Sequence, residues 1–110
     1  MTGTTDDRND PGLKKIDPDG MQQVYLVLSE EERAKGFVRP LRYTYIHLTC
    51  GVVTTMGLAI AETYARDPHF YGGTYCTNCK AHFPVGENGE FVWGGPRKET
   101  PLGMQDKVGT

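Results

Sequence analysis

Every cysteine of the chain falls in one of two short clusters, His47-Leu48-Thr49-Cys50 and Cys76-Thr77-Asn78-Cys79. In each, two ligand-type side chains are separated by two residues, a spacing at which one tight turn presents both to the same ion. Two such turns brought together supply three thiolates and one imidazole, a closed tetrahedral set typical of structural zinc. The expected site is therefore His47, Cys50, Cys76 and Cys79 around one structural Zn²⁺. Gly51, directly after Cys50, permits the tight backbone that such a turn requires. His82 is the rival fourth ligand, two residues beyond Cys79. His47 is preferred because it repeats the spacing and precedes a glycine. His69, just past the main expected helix, reads as an ordinary side chain.

Other uses of the same residues fit less well. A redox Cys-x-x-Cys sits at a helix start within a βαβ pattern, where the helix dipole lowers the first thiol's pKa. Here Phe83 and Pro84 of an expected strand follow instead. Zinc hydrolysis or deamination needs an open metal position and a nearby carboxylate. No His-Glu-x-x-His occurs, and Leu48-Thr49 after His47 and Tyr75 before Cys76 break the deaminase pattern. Glu62, the only acid near the clusters in sequence, is expected on a solvated helix face. The chain is read as a non-enzyme.

The positioning elements follow from pattern. Residues 21–28 have the β-branched and aromatic content of a strand. Ser29 and Glu32 have capping-box spacing and Gly36 suits a helix stop, so residues 30–35 make a turn or two of helix. Pro40 delays the next strand to Tyr43–Ile46, which runs into His47. Thr54 or Thr55 is expected to cap the main helix, about residues 55–67, with Met56, Ile60 and Tyr64 on one inward stripe. Pro68 ends it. The segments 82–85 and 91–93 read as two strands joined by an Asn88-Gly89 hairpin. Twenty-five residues and the main helix separate Cys50 from Cys76, which suits two turns on neighbouring strands with the helix packed across.

The domain expectation is a polar, disordered tail at 1–20, a zinc-stapled α+β domain at 21–93 and a flexible tail at 94–110. Roughly 70 residues is a size at which an apolar core alone is marginal and a metal staple is a common remedy. The fold class is thus small α+β: short antiparallel strands and one main helix, zinc-ribbon or treble-clef-like in general form. The absence of a signal-like start and of a long apolar run predicts a cytoplasmic protein without membrane association, where thiols stay reduced.

The formal net charge is −2, and residues 37–98 carry six basic and four acidic groups against five and eight in residues 1–36. That mild basic bias supports nucleic-acid binding as a second reading. Arg39, Arg42, Tyr43 and Tyr45 interleave cations with aromatic planes, and Lys80, Arg97 and Lys98 would extend the patch. The first reading is a protein-binding module. The aromatics around the second cluster would supply mostly core, with some left for a partner.

Several runs are also familiar. The stretch from Ser29 to Pro40, His47, Cys50-Gly51, Thr55-Met56, Ala61 to Pro68, Phe70-Tyr71 and Cys76-x-x-Cys79 together resemble small uncharacterised zinc-binding proteins encoded by bacteriophages and prophages. The resemblance covers about residues 21–93. It implies a phage or prophage accessory factor working in a bacterial host cell, and a bound zinc; it implies no particular activity.

Overall fold

A computed structural model of the chain describes residues 3–94 and 106–110. In chain order these form β1 (Gly3–Thr5), a 3-10 turn (Pro11–Lys14), β2 (Val24–Leu26), α1 (Glu30–Arg33), β3 (Thr44–His47), β4 (Val53–Thr55), α2 (Leu58–Arg66), β5 (Gly73–Cys76), β6 (Ala81–Pro84) and β7 (Phe91–Trp93). Several short strands around one main helix make this a small α+β unit. Among the described residues no helix is long and apolar enough to cross a membrane.

The central strand is β3, which pairs antiparallel with β4 on one side and β7 on the other. β5 and β6 form a separate antiparallel pair. The third sheet departs from the all-antiparallel expectation, for β1 runs parallel to β2. It also involves residues expected in a loose tail. Their polar composition hides the reason: main-chain bonds hold this segment, and those do not depend on side-chain hydropathy. Gly3 N donates to Gln23 O (3.1 Å) and Val27 N to Thr5 O (2.8 Å). Asp10 caps the 3-10 turn by accepting from Gly12 N (2.8 Å). Gly20, with φ +88°, passes so close to the body that a Cβ there would lie 1.9 Å from Lys80 O.

Helix ends differ from expectation in one place. Ser29 does cap α1, accepting from Glu32 N (3.2 Å). The Glu32 carboxylate pairs with Lys35 and Arg66. Neither Thr54 nor Thr55 caps α2, because both belong to β4, whose ladder with β3 needs them extended. The helix starts later, with Gly57 at its cap and no side-chain bond there. Asp67, ahead of Pro68, ends it as expected.

The core lies where α2 meets the β3 sheet. Ala61, Tyr64 and Ala65 of the helix are buried, along with Tyr45, Met56, Phe91 and Trp93. Tyr64 meets Trp93 edge-on at 5.3 Å between ring centroids, and Tyr45 meets Phe91 the same way at the same distance, a geometry favoured by the ring quadrupoles.

The Asn88-Gly89 turn is tight, yet the strands it joins are not partners. β6 pairs with β5 while β7 pairs with β3, so the turn carries the chain from one sheet to another. Gly89 is required there: a Cβ would come 2.6 Å from Val85 Cα and 2.7 Å from Pro84 O. Of the expected second tail, Gly94 and residues 106–110 are described, and they pack on the body. Lys107 bridges Val92, and Val108 is fully buried in the core. Arg97 and Lys98 lie outside the described residues.

Candidate metal centre

Each ligand pair occupies the turn of a β-hairpin. His47 closes β3 and Cys50 ends the turn toward β4; Cys76 closes β5 and Cys79 sits in the turn to β6. The two backbones match in detail. Gly51 N donates to His47 O (2.7 Å), and Lys80 N donates to Cys76 O (2.8 Å). The residue after each second ligand is left-handed, Gly51 at φ +74° and Lys80 at φ +55°. One turn is thus built twice. Side-chain bonds lock the two hairpins together: Thr77 N donates to Thr54 Oγ1 (3.1 Å), Tyr45 Oη donates to Tyr75 O, and Thr74 Oγ1 donates to Tyr45 Oη (3.2 Å).

The result brings one ligand atom from each of His47, Cys50, Cys76 and Cys79 within 4.8 Å of all the others. Cys50 Sγ and Cys76 Sγ are 3.6 Å apart, as are Cys79 Sγ and His47 Nδ1. A tetrahedron with metal–sulfur bonds of about 2.3 Å and metal–nitrogen bonds of about 2.0–2.1 Å has S···S edges of about 3.8 Å and S···N edges of about 3.6 Å. Those two separations fit one ion. They do not fit a disulfide, whose sulfurs sit about 2.05 Å apart, and all three cysteines are free thiols.

The imidazole is oriented from outside the ligand set. His47 Nε2 lies 2.9 Å from Glu90 Oε1. A carboxylate only accepts, so Nε2 carries the proton and Nδ1, which faces the thiols, keeps the lone pair a metal would use. Thr49 Oγ1 donates to the same Glu90 oxygen (3.2 Å), and Leu48 N donates to Glu90 O (2.8 Å). The ring itself is 1% exposed, held between Phe83 and Phe91 with centroids 4.5 and 4.7 Å away.

The thiols do not ionise alike. Burial opposes the charge on Cys50, but bonds from the Val52 backbone, Cys76, His47 and Cys79 outweigh it and bring its pKa down to about 7. For Cys79, burial and the neighbouring Cys76 and Cys50 all act upward, to about 11. Without a cation, one negative charge is shared and a second is resisted. A divalent ion at the centre removes that resistance, and this donor set fits one.

No protein-family model, characterised protein or solved structure matches the chain. What it does must be reasoned from these residues.

His82 is not in the cluster. Its Nε2 lies 2.8 Å from Tyr25 Oη, and burial lowers its pKa. His69 is exposed and Glu62 pairs with Arg33, so neither joins the site. The residues of the nucleic-acid reading do not offer free cations together. Arg39 Nε donates to Thr110 O (3.0 Å). Arg42 lies over the Trp93 ring at 4.7 Å and pairs with Asp106 at 3.2 Å. Tyr43 and Lys80 are exposed, whereas Tyr45 is buried. Glu90 is the functional residue that sequence reasoning missed. It belongs to no spacing motif, and its partner is 43 residues away.

Proposed function

We propose that the chain is a non-enzymatic interaction module held together by one structural Zn²⁺ between two knuckles, in a zinc-ribbon-like arrangement. The observation that carries this is the four-donor cluster with edges of tetrahedral length. Three thiolates with an imidazole suit zinc among the common metals. Four protein donors leave no position for a reacting water, and Glu90, the nearest candidate for a base, is committed to His47 and Thr49. The module docks a protein partner. In support, Phe37, Val38 and Tyr43 stay 43%, 55% and 42% exposed on a stretch anchored by Val38 N and Arg39 N donating to Ala65 O. The phage-protein resemblance makes the chain an accessory factor of the bacterial cytosol.

The test begins with protein purified under reducing conditions. One zinc per chain is expected, and a strong chelator should unfold it, because apparent binding energies of about 10–16 kcal/mol match or exceed the stability of a typical domain. Protein that arrives empty, or keeps its circular dichroism when stripped, refutes the zinc role. Phe37→Ser with Val38→Ser should abolish partner capture from host lysate without moving Tm. A gel shift with single-stranded RNA or DNA at low salt should show nothing; a shift lost on adding salt and in Arg39→Ala with Arg42→Ala would instead make the chain a nucleic-acid binder.

A further inference from the structure

Away from the metal ligands, the β3–β4 and β5–β6 hairpins, α2 and the N-terminal segment enclose a second feature. It is a cavity of about 150 Å³, walled on one side by Thr4 and Met21 and on the others largely by tyrosine rings. Five tyrosines line it, and four of their hydroxyls are already bonded within the chain. Tyr25 pairs with His82, Tyr45 donates to Tyr75 O, Tyr71 to Leu26 O and Tyr75 to Asp19 O. The fifth, Tyr64, is 3% exposed, and its buried hydroxyl has no hydrogen-bond partner among the described residues. Thr74 stands near enough to influence it, but the Thr74 hydroxyl donates to Tyr45.

A buried hydroxyl without a partner costs free energy unless something meets it. Water is a poor candidate, since an ordered water needs two to four polar partners and this cavity offers one free group. An apolar cavity of about this volume accepts a benzene ring. The exposed ring surfaces favour an aromatic guest through edge and offset contacts, and Met21 and Met56 at the wall can adapt to it. We propose that this cavity binds a small single-ring phenol, with the guest's hydroxyl bonded to Tyr64 Oη and its ring among the tyrosines. The site is independent of the metal's identity and adds a ligand to a protein otherwise read as a docking module.

The experiment uses the full chain with its metal, carrying ¹³C-methyl methionine, titrated with phenol, benzene and 1-naphthol. Phenol should shift the Met21 and Met56 methyl signals saturably. Benzene should bind roughly three- to tenfold more weakly, the worth of one neutral hydrogen bond, and the two-ring naphthol should not bind. Tyr64→Phe removes only an unbonded hydroxyl, so it should keep its metal and fold; it should bring phenol down to benzene's affinity and leave benzene unchanged. Ile60→Phe, which fills the cavity from α2, should abolish both. No saturable shift with phenol overturns the proposal, as does equal binding of phenol and benzene to the unaltered chain. Metal counted in the same samples keeps this outcome separate from failure of the zinc reading.

Discussion

The two metal-ligand corners share a backbone and almost nothing else. Both are hairpin turns with the same main-chain bond and the same left-handed residue after the second ligand. Around the first, the imidazole is buried between Phe83 and Phe91 and tethered to Glu90. The second carries two thiols, with Cys76 buried and Cys79 exposed. Its bracing is lighter: Cys79 N donates to Cys76 Sγ (3.4 Å), and Gly20 rests on the Lys80 carbonyl. The contrast follows from ligand chemistry. A thiolate binds from a range of directions, but an imidazole must present one nitrogen, in the right tautomer, along its ring plane. The turn is therefore generic, and what makes the first corner specific is recruited from far along the chain.

Removing the imidazole should have the largest effect. His47→Ala deletes a ligand and opens a hole between two phenylalanines; aromatic deletions from a core alone cost about 3–5 kcal/mol. The expected outcome is loss of metal and of the folded state, read by metal content and thermal melting. His82→Ala should keep its metal. The opposite pattern would break the comparison by placing the wrong histidine in the first corner. His82 should instead betray itself through pH. Burial lowers its pKa, so its contribution to stability is full above about 6.5, its ordinary value, and is lost as pH falls through the depressed one. Melting of His82→Ala should be less acid-sensitive than that of the unaltered chain in this range.

Glu90 comes next in size. Removing a carboxylate that orients a ligating histidine typically lowers metal affinity about 10–100-fold. Glu90→Ala should fall toward the upper end and Glu90→Gln toward the lower, since an amide oxygen still accepts from Nε2 without the charge. Competition against a chromophoric chelator measures both. If neither variant moves the affinity, the imidazole is held by the two phenylalanine rings alone.

The same contrast explains what could be read from the sequence. The four ligands were legible because a turn is local: a two-residue spacing and a following glycine describe it completely. Strands next to the ligands were legible too, from the β-rich run into His47. Glu90 was not, because nothing in its neighbours records a partner so distant in sequence. Asn88-Gly89 signalled a turn correctly, but a turn signal does not say which sheet each arm joins. The N-terminal strand was concealed by polar composition, and Val108 by its place in an otherwise polar stretch. The helix start slipped because a β ladder claimed the threonines that would have capped it.

The smallest effect tests whether the two turns are truly one. Gly51 at φ +74° has open space where a Cβ would go, so Gly51→Ala meets only backbone strain. A left-handed L-residue costs about 1–2 kcal/mol, offset in part by the glycine's greater unfolded-state entropy. A loss of about 1 kcal/mol is expected in denaturant unfolding of the metal-bound protein. Lys80 already bears this strain at φ +55°. Lys80→Gly relieves it while adding unfolded-state freedom of about 0.5–1 kcal/mol, so a net gain of about 0.5 kcal/mol should follow. A loss on Lys80→Gly would mean that the lysine contributes more than a backbone bend. Three thiolates around a divalent ion leave one negative charge, and an ammonium one residue from Cys79 would then be offsetting it. Repeating the measurement at high salt separates the two causes, because screening removes an ionic contribution and leaves a backbone one untouched.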